Sequence, residues 1–249
     1  MPDTFTPSDQ FTSILPYEIV GYIFRLCLPP IKKGGLESNH SPSPTVPLRF
    51  SHVSRTWRAI VHDTPALWTN VCIHNRSAHP DPEILAHILR HSNNWSLSVC
   101  IVIIGESSVE SAEWIGARMK ELFCHAHRIR SFRLDVRSQV GLWGENVPMP
   151  PFPRLEDLTI LGSISERDNE RLYPLFDSPQ LRNVTWLSRV RFPEPLLRVG
   201  AQIKQLILPV CAVEYMRVAE LLQACPNGAL SSRLKSPHLS SGIAFSSFQ

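Results

Sequence analysis

Hydrophobic residues recur at helical spacing in the segment ILPYEIVGYIFRLCLPP near the N-terminus. Pro16 suits the first turn of a helix, because its φ is already fixed near a helical value and its missing N–H is not needed there. Pro29 cannot continue the helix, so the pattern ends before it. We predict an amphipathic helix of about three turns between these prolines, with an apolar stripe of Ile19, Val20, Ile23, Phe24 and Cys27.

A second helical pattern begins near Leu48, where apolar residues follow at intervals of three, four and three positions: Phe50, Val53, Trp57 and Ile60. Between the two patterns, residues 29–47 contain Pro, Gly, Ser and Lys without periodicity, which is typical of an exposed and mobile loop. A short third helix is entered through Pro65 and carries two large apolar residues, Leu67 and Trp68. The N-terminal part of the chain is therefore expected to be a small helical module.

These helices carry a set of residues that resembles an F-box. In chain order they are Leu15-Pro16, Glu18-Ile19, Ile23-Phe24, Val53-Ser54, Trp57 and Leu67-Trp68. The resemblance covers residues 13–70, and the form with a Pro/Ser-rich insertion is similar to the large fungal group of F-box-like proteins. It implies a three-helix domain that binds the Skp-family adaptor of a cullin–RING ubiquitin ligase. The contacts that the resemblance assigns to that adaptor are Leu15, Pro16, Ile19, Ile23, Phe24, Val53, Trp57, Leu67 and Trp68.

The number of large apolar residues in this small module agrees with a binding role. Three short helices can hardly bury all of them among themselves, and a small domain with surplus apolar residues is usually half of an interface. Each such residue contributes on the order of 1.5–3 kcal/mol when a partner buries it. The alternative is that the stripes pack against the rest of the same chain, which is the commoner use of an amphipathic helix pair.

After the helical module the sequence alternates between strand and helix patterns. Segments 96–104 and 129–136 have strand composition, and the residues between them have apolar positions at helical spacing. From residue 129 onward the apolar pattern L-x-x-L-x-L recurs, and its four units start at Ile129, Leu155, Leu181 and Ile203. The intervals of 26, 26 and 22 residues lie within the roughly 20–29 residues of leucine-rich repeats.

These repeats predict a fold of the α+β or α/β class. We expect a three-helix F-box at residues 13–70, followed by a short, irregular leucine-rich-repeat-like solenoid at residues 71–228. Residues 166–176 and 213–224 have helical spacing and would connect successive strands. A plain α/β domain with a parallel sheet is the alternative. Residues 229–249 contain seven Ser without a coherent period, so we expect a disordered tail there.

Alternation along each strand sends the repeated apolar residues into the core and the residues between them onto the exposed face of the sheet. Mixed polar residues on such a face can bind a protein surface, so this face is the candidate site for a substrate protein. An ordinary solvated sheet face is the alternative. The candidate residues are Arg133, Asp135, Asp157, Thr159, Asn183, Thr185 and Gln205, with Ser131 and Ile207 beside them.

Charge and composition exclude several classes of function. The 25 basic and 22 acidic residues leave a net charge of +3, which is too small to indicate a nucleic-acid partner. No stretch is apolar over the roughly 20 residues of a membrane span, and the N-terminus lacks the pattern of a secretory signal. The six Cys include no C-x-x-C pair and are expected to be buried and reduced. We therefore expect a protein of the cytosol or nucleus, with neither a membrane nor a nucleic acid as partner.

The sequence contains no local motif for catalysis or for a cofactor. A Walker loop, a G-x-G-x-x-G fingerprint, a G-x-S-x-G elbow and a paired set of zinc-binding Cys are all missing. His87 and His91 lie four residues apart, but no third metal ligand is evident, so we expect them on an exposed helix face. We therefore predict no catalytic residue, no metal and no cofactor.

These features predict a substrate-recognition adaptor of a Skp–cullin–F-box ubiquitin ligase, which would direct a bound protein to ubiquitin-dependent degradation. The F-box would dock on the Skp-family subunit, and the repeat region would hold the substrate near the charged ubiquitin-conjugating enzyme. Two alternatives stay open. One is a repeat scaffold whose F-box-like helices serve only its own core, and the other is a hydrolase-like α/β enzyme whose site is assembled from distant residues.

Overall fold

Two compact units make up the chain in the computed structural model. One comprises Met1–Cys72 with Pro80–Leu97, and the other comprises Ile73–His79 with Ser98–Gln249. The residues that the structure describes are 14–28, 46–75, 82–105, 109–137, 147–188, 199–208 and 229–232. The predicted helix at 213–224, most of the predicted insertion and most of the predicted tail lie outside these ranges.

The first unit is helical. Its helices are α1 (Tyr17–Leu26), α2 (Val46–Ser51), α3 (Arg55–His62) and α4 (Pro82–His91), with a 3₁₀ helix at Pro65–Trp68. Pro16 was predicted to be the first residue of this helix, but it stands directly before α1, with an extended ψ of 145°. The single second helix predicted from Leu48 is instead two helices, because Ser54 has an extended backbone and its side chain caps α3 by accepting a hydrogen bond from the Trp57 N–H at 3.1 Å. Within the described ranges, none of the helices has the length and apolar character needed to cross a membrane.

The strands form one seven-stranded sheet in which each strand neighbours the next one in the chain. They are β1 (Asn70–His74), β2 (Leu97–Ile104), β3 (Ile129–Arg137), β4 (Asp157–Gly162), β5 (Asn183–Ser188), β6 (Gln205–Leu208) and β7 (Ala229–Ser232). In the chain, α5 (Val109–Phe123) lies between β2 and β3, and α6 (Glu166–Arg171) lies between β4 and β5. Strands β3 to β7 pair in parallel. The expected mixture of helix and strand is confirmed, with a parallel sheet in the C-terminal part.

The register of the parallel strands follows the apolar repeat. Phe132 pairs with Leu158, Leu158 with Val184, Val184 with Leu206 and Leu206 with Leu230. Phe132, Leu158, Val184 and Leu206 are the second apolar residues of successive L-x-x-L-x-L units. The spacing of these units in the sequence therefore matches the alignment of the strands. Leu230 belongs to β7, which extends the series by one strand. The first four residues of the predicted disordered tail therefore form a strand, and the prediction is corrected for them.

The same turn precedes each of the strands β3 to β6. In each turn, the first apolar residue of the repeat donates its N–H to the carbonyl three residues earlier. The pairs are Ile129 with Ala126, Leu155 with Phe152 (3.2 Å), Leu181 with Ser178 (3.3 Å) and Ile203 with Gly200 (3.1 Å). Because the four donor residues are buried, the turn satisfies N–H groups that would otherwise lack a partner. The repeat is thus present in the backbone hydrogen bonds as well as in the sequence.

Gly162, the last residue of β4, occupies a position that requires glycine. Its φ is +94°, and a Cβ there would lie 1.8 Å from the carbonyl oxygen of Val136 in β3. We expect Gly162→Ala to lower the free energy of unfolding by at least about 2 kcal/mol, because both the strained φ and the clash must be relieved. Chemical denaturation followed by circular dichroism measures the loss. Thr159→Ala on the same strand is the control, with an expected loss of about 1 kcal/mol or less, and equal losses would contradict the special role of Gly162.

Candidate functional site

One side of α1 presents large apolar side chains to solvent. Ile19, Tyr22 and Leu26 follow one another at intervals of three and four residues, so they lie along one side of the helix. They are 47%, 57% and 67% exposed. We call these three residues the outer stripe. A row of exposed apolar side chains is unfavourable in water, and such a patch commonly marks a protein-binding surface.

The opposite side of α1 packs into the helical unit. Phe24 is buried, and its ring centroid lies 4.8 Å from that of Phe50 and 4.6 Å from that of Trp57. Gly21 also faces inward, where a Cβ would come within 2.9 Å of the Thr64 hydroxyl. The close approach of the helix therefore depends on a glycine. It follows that α1 is apolar on two opposite sides, of which the described part of the unit covers only one.

Trp68 is a core residue of the same unit. It is 1% exposed, and its Nε1–H donates a hydrogen bond to the Val61 carbonyl at 2.8 Å. The Thr64 hydroxyl donates to the Ile60 carbonyl at 2.6 Å and so satisfies a carbonyl at the end of α3. These contacts fix the segment after α3 within the chain itself, without a partner protein.

The structure divides the nine residues predicted to contact the Skp-family subunit into two groups. Six are accessible: Pro16, Ile19 and Val53 are exposed, and Leu15, Ile23 and Trp57 are half-buried. The other three, Phe24, Leu67 and Trp68, are buried. Their apolar surface is already covered by the chain, so the prediction of direct contact is corrected for these three in the folded domain.

The predicted set lacks three exposed large hydrophobic residues of α1: Tyr17, Tyr22 and Leu26. A signal for two of them is present in the sequence, because Tyr22 and Leu26 continue the three-and-four spacing that starts at Ile19. Tyr22 is easily overlooked, since its hydroxyl interrupts a stripe of purely aliphatic residues. Tyr17 lies outside this spacing, and only the structure reveals its exposure.

A known family matches the helical part of the chain. Residues 12–74 match the family described as F-box-like. The chain contains an F-box-like domain. The matched segment includes the outer stripe, the aromatic contacts of Phe24 and the buried Trp68, so the F-box-like domain carries the exposed apolar row. A search of curated proteins finds no match to this chain.

The residues predicted to form the binding face of the sheet have unequal exposure. Arg133, Asp157, Thr159 and Asn183 are half-buried, and Gln205 is exposed. Asp135 and Thr185 are only 4% and 7% exposed, so the expectation that they are presented at the surface is corrected. Thr185 pairs in register with Thr159 on one side and Ile207 on the other, and neighbours on both sides leave little of a short side chain exposed.

Asp135 is buried, and its carboxylate is paired with arginine side chains. Its carboxylate accepts hydrogen bonds from Arg137 Nε at 3.0 Å and Arg137 Nη2 at 2.9 Å, and Arg133 Nη2 lies 3.8 Å away. A buried carboxylate needs such partners, and its hydrogen bonds raise the pKa of Arg137. On neighbouring strands, Asn183 Nδ2 donates to Asp157 Oδ1 at 2.6 Å. Several polar side chains of this face are therefore held in place by one another.

Three histidines of the helical unit come together. The His62 ring at the end of α3 lies 5.3 Å from that of His87 and 4.4 Å from that of His91, and the latter two, both on α4, are 4.3 Å apart. All three are half-buried, so the prediction that His87 and His91 lie on an exposed helix face is wrong. A local search could not find the third histidine, because it precedes the pair by 25 residues.

Burial favours the neutral form of two of these histidines. It is the largest cause that lowers the pKa of His62 and the pKa of His87, and the neighbouring His91 lowers both further. The Trp68 ring packs against all three, at centroid distances of 4.9 Å to His87, 5.3 Å to His91 and 6.0 Å to His62. A neutral imidazole can bind a metal ion through its free ring nitrogen.

Proposed function

We propose that this chain is the substrate-recognition adaptor of a Skp–cullin–F-box ubiquitin ligase, in which the F-box-like domain binds the Skp-family subunit. The outer stripe carries the proposal, because it is an exposed apolar row inside the matched segment. Complete burial of a large apolar side chain contributes about 1.5–3 kcal/mol. Residues that are roughly half exposed would each contribute on the order of 1 kcal/mol, so the stripe can supply the central part of an interface.

The proposed contact surface centres on the outer stripe and includes its accessible neighbours. Trp57 is one of them, because part of its side chain remains accessible. The proposed contacts are Leu15, Pro16, Ile19, Tyr22, Ile23, Leu26, Val53 and Trp57. Phe24, Leu67 and Trp68 have the different role of holding the helices in position.

The proposed substrate-binding part is the leucine-rich-repeat-like solenoid predicted at residues 71–228, which β7 extends by one strand. It follows an F-box at residues 13–70 of the fungal F-box-like type. Its support is the sequential strand order, the parallel register at the repeat interval and the turn that recurs before β3 to β6. A solenoid presents one face of its sheet as a continuous binding surface. The proposed substrate face comprises Arg133, Asp157, Thr159, Asn183 and Gln205.

The proposed contribution of the chain is proximity rather than bond chemistry. If one domain binds the Skp-family subunit and the other binds a substrate protein, the effective concentration of a substrate lysine near the charged ubiquitin-conjugating enzyme rises. No residue of the chain has to touch the reacting atoms in this scheme. We therefore propose a non-enzymatic adaptor that acts in the cytosol or nucleus.

Reconstitution with purified ligase subunits tests the adaptor function. The full chain is mixed with the Skp-family subunit, the cullin and the RING subunit, and the mixture is separated by size-exclusion chromatography. We expect the chain to co-elute with the assembled ligase in equimolar ratio to the Skp-family subunit. A folded chain that elutes alone would contradict the proposal and favour the repeat scaffold.

Thr159→Arg tests the substrate face. Thr159 lies on β4, half-buried and flanked by β3 and β5, so a long charged side chain there would obstruct a bound protein. We expect the recovery of ubiquitinated proteins with the affinity-purified chain to fall at least about tenfold, with unchanged recovery of the Skp-family subunit. Quantitative mass spectrometry measures both, and Arg154→Ala, at an exposed position before β4, is the control. Unchanged recovery with Thr159→Arg would argue against this face.

A further inference from the structure

Three imidazole side chains bring potential metal ligands to one place. His87 and His91 are one helical turn apart on α4, and this spacing directs two imidazoles to the same side of a helix. His62 joins them from the end of α3. One ring nitrogen from each histidine lies within 4.8 Å of the other two. All three residues belong to the compact unit that contains α1 to α4.

The Nε2 atom of His87 gives a second, independent reason to expect a ligand. It is buried and has no hydrogen-bond partner, although buried polar atoms almost always have one. The neighbouring indole of Trp68 cannot be the hydrogen-bond partner of this nitrogen. An indole is a donor only, and its N–H already donates to the Val61 carbonyl at 2.8 Å. Packing around Trp68 therefore explains the burial of the rings but leaves this nitrogen without a partner.

We propose that His62, His87 and His91 together bind one divalent transition-metal ion, with Zn²⁺ as the best fit. Imidazole nitrogen is a preferred zinc ligand, and three histidines with an open fourth position for water form a known type of zinc site. In a tetrahedral site with Zn–N bonds of about 2.0–2.1 Å, the ligand nitrogens are about 3.3 Å apart. The ligand nitrogens, which lie within 4.8 Å of one another, must therefore approach by up to about 1.5 Å when the ion binds.

The surrounding charges predict a moderate affinity. The positive charge of Arg58 lowers the pKa of His62, and that of Arg90 lowers the pKa of His87. Both charges also repel a cation bound at these imidazoles. The negative charge of Asp63 raises the pKa of His62 and offsets part of the repulsion. No thiolate belongs to this cluster among the described residues. We therefore expect micromolar rather than nanomolar binding.

A bound ion would link α3 to α4. Residues 12–74 match the F-box-like family, so α4 lies outside the matched segment, yet it belongs to the same compact unit. The three ligands would hold this additional helix against the end of α3. This role is independent of the proposed ligase function, since none of the three histidines belongs to the proposed contacts with the Skp-family subunit.

Titration of the full chain with ZnCl₂ after removal of metal by a chelator tests the site. We expect isothermal titration calorimetry to show one ion bound per chain with micromolar affinity and thermal denaturation to show a higher midpoint with zinc. His62→Gln and His91→Gln should each weaken binding at least about tenfold and abolish the zinc-dependent shift. His52→Gln, at an exposed histidine of the same unit, should leave both unchanged.

Titration with Co²⁺ distinguishes this site from binding by the cysteines of the chain. Imidazole ligands give d–d bands without the intense thiolate-to-cobalt charge-transfer absorption, so we expect the bands alone. Circular dichroism shows whether each variant is folded, and only folded variants are compared. The proposal would be overturned if the folded chain does not bind zinc, if zinc binds equally well to His62→Gln and His91→Gln, or if the cobalt spectrum shows thiolate ligation.

Discussion

Trp68→Ala is expected to lower the free energy of unfolding of the F-box-like domain by about 3–5 kcal/mol, the range observed when a large buried aromatic side chain is truncated. Trp68 is 1% exposed, so its removal leaves a cavity beside the three histidines and the end of α3. The Val61 carbonyl also loses its indole donor and keeps only the long hydrogen bond from the Thr64 N–H at 3.4 Å, which adds to the cost. Chemical denaturation followed by circular dichroism measures the change.

Trp95→Ala is the matched control for this effect. Trp95 is 49% exposed, and substitutions at such positions usually change stability by about 0.5 kcal/mol. We expect the loss for Trp68→Ala to exceed that for Trp95→Ala several-fold. A loss of similar size in both variants would show that Trp68 is not the core residue that its burial indicates.

The double variant Ile19→Asp, Leu26→Asp is expected to bind the Skp-family subunit at least about 100-fold more weakly than the unchanged chain. Both side chains belong to the outer stripe, and a buried carboxylate without a partner is strongly unfavourable at the centre of an interface. Both are also 47% or more exposed, so the folded domain should lose about 1 kcal/mol or less. Isothermal titration calorimetry measures the affinity, and chemical denaturation measures the stability.

The control for the outer stripe is Trp95→Asp, which places one such negative charge at a comparably exposed apolar position outside the matched segment. We expect it to bind the Skp-family subunit with unchanged affinity. If the double variant also binds normally, the outer stripe is not the docking surface. If it unfolds, Ile19→Ser with Leu26→Ser repeats the comparison, because it removes the apolar surface without introducing a charge.

The two sides of α1 show how far periodicity leads. Sequence spacing correctly predicted the helix between Pro16 and Pro29, but it could not decide which apolar side faces inward, because both sides have helical spacing. Residues distant in sequence, such as Phe50 and Trp57, determine which side is buried, because they pack on Phe24. Buried and exposed apolar residues were therefore mixed in the predicted contact set.

The parallel sheet was predictable because its signal repeats. One apolar pattern per strand defines both the core face and the register, and Phe132, Leu158, Val184 and Leu206 occupy equivalent positions. Leu230 was missed because Ser residues conceal the pattern around it. The burial of Asp135 was also beyond the sequence, since it depends on side-chain pairing with Arg137 and Arg133.

The histidine cluster illustrates a limit of a different kind. The spacing of His87 and His91 is visible in the sequence, and its interpretation depends on whether a third ligand exists. His62 comes from another helix, and only the packing of α3 and α4 brings it near the pair. A set of ligands assembled from separate elements has no fixed spacing, so motif reading cannot detect it.

Photo-crosslinking within the full chain tests most directly whether the outer stripe is the docking surface. A photoreactive phenylalanine analogue replaces Tyr22 in one variant and Trp95 in another, at positions that are 57% and 49% exposed. In the presence of the Skp-family subunit, we predict a crosslink from position 22 to that subunit and none from position 95. A formed complex that crosslinks only from position 95, or from neither position, would contradict the proposed docking surface.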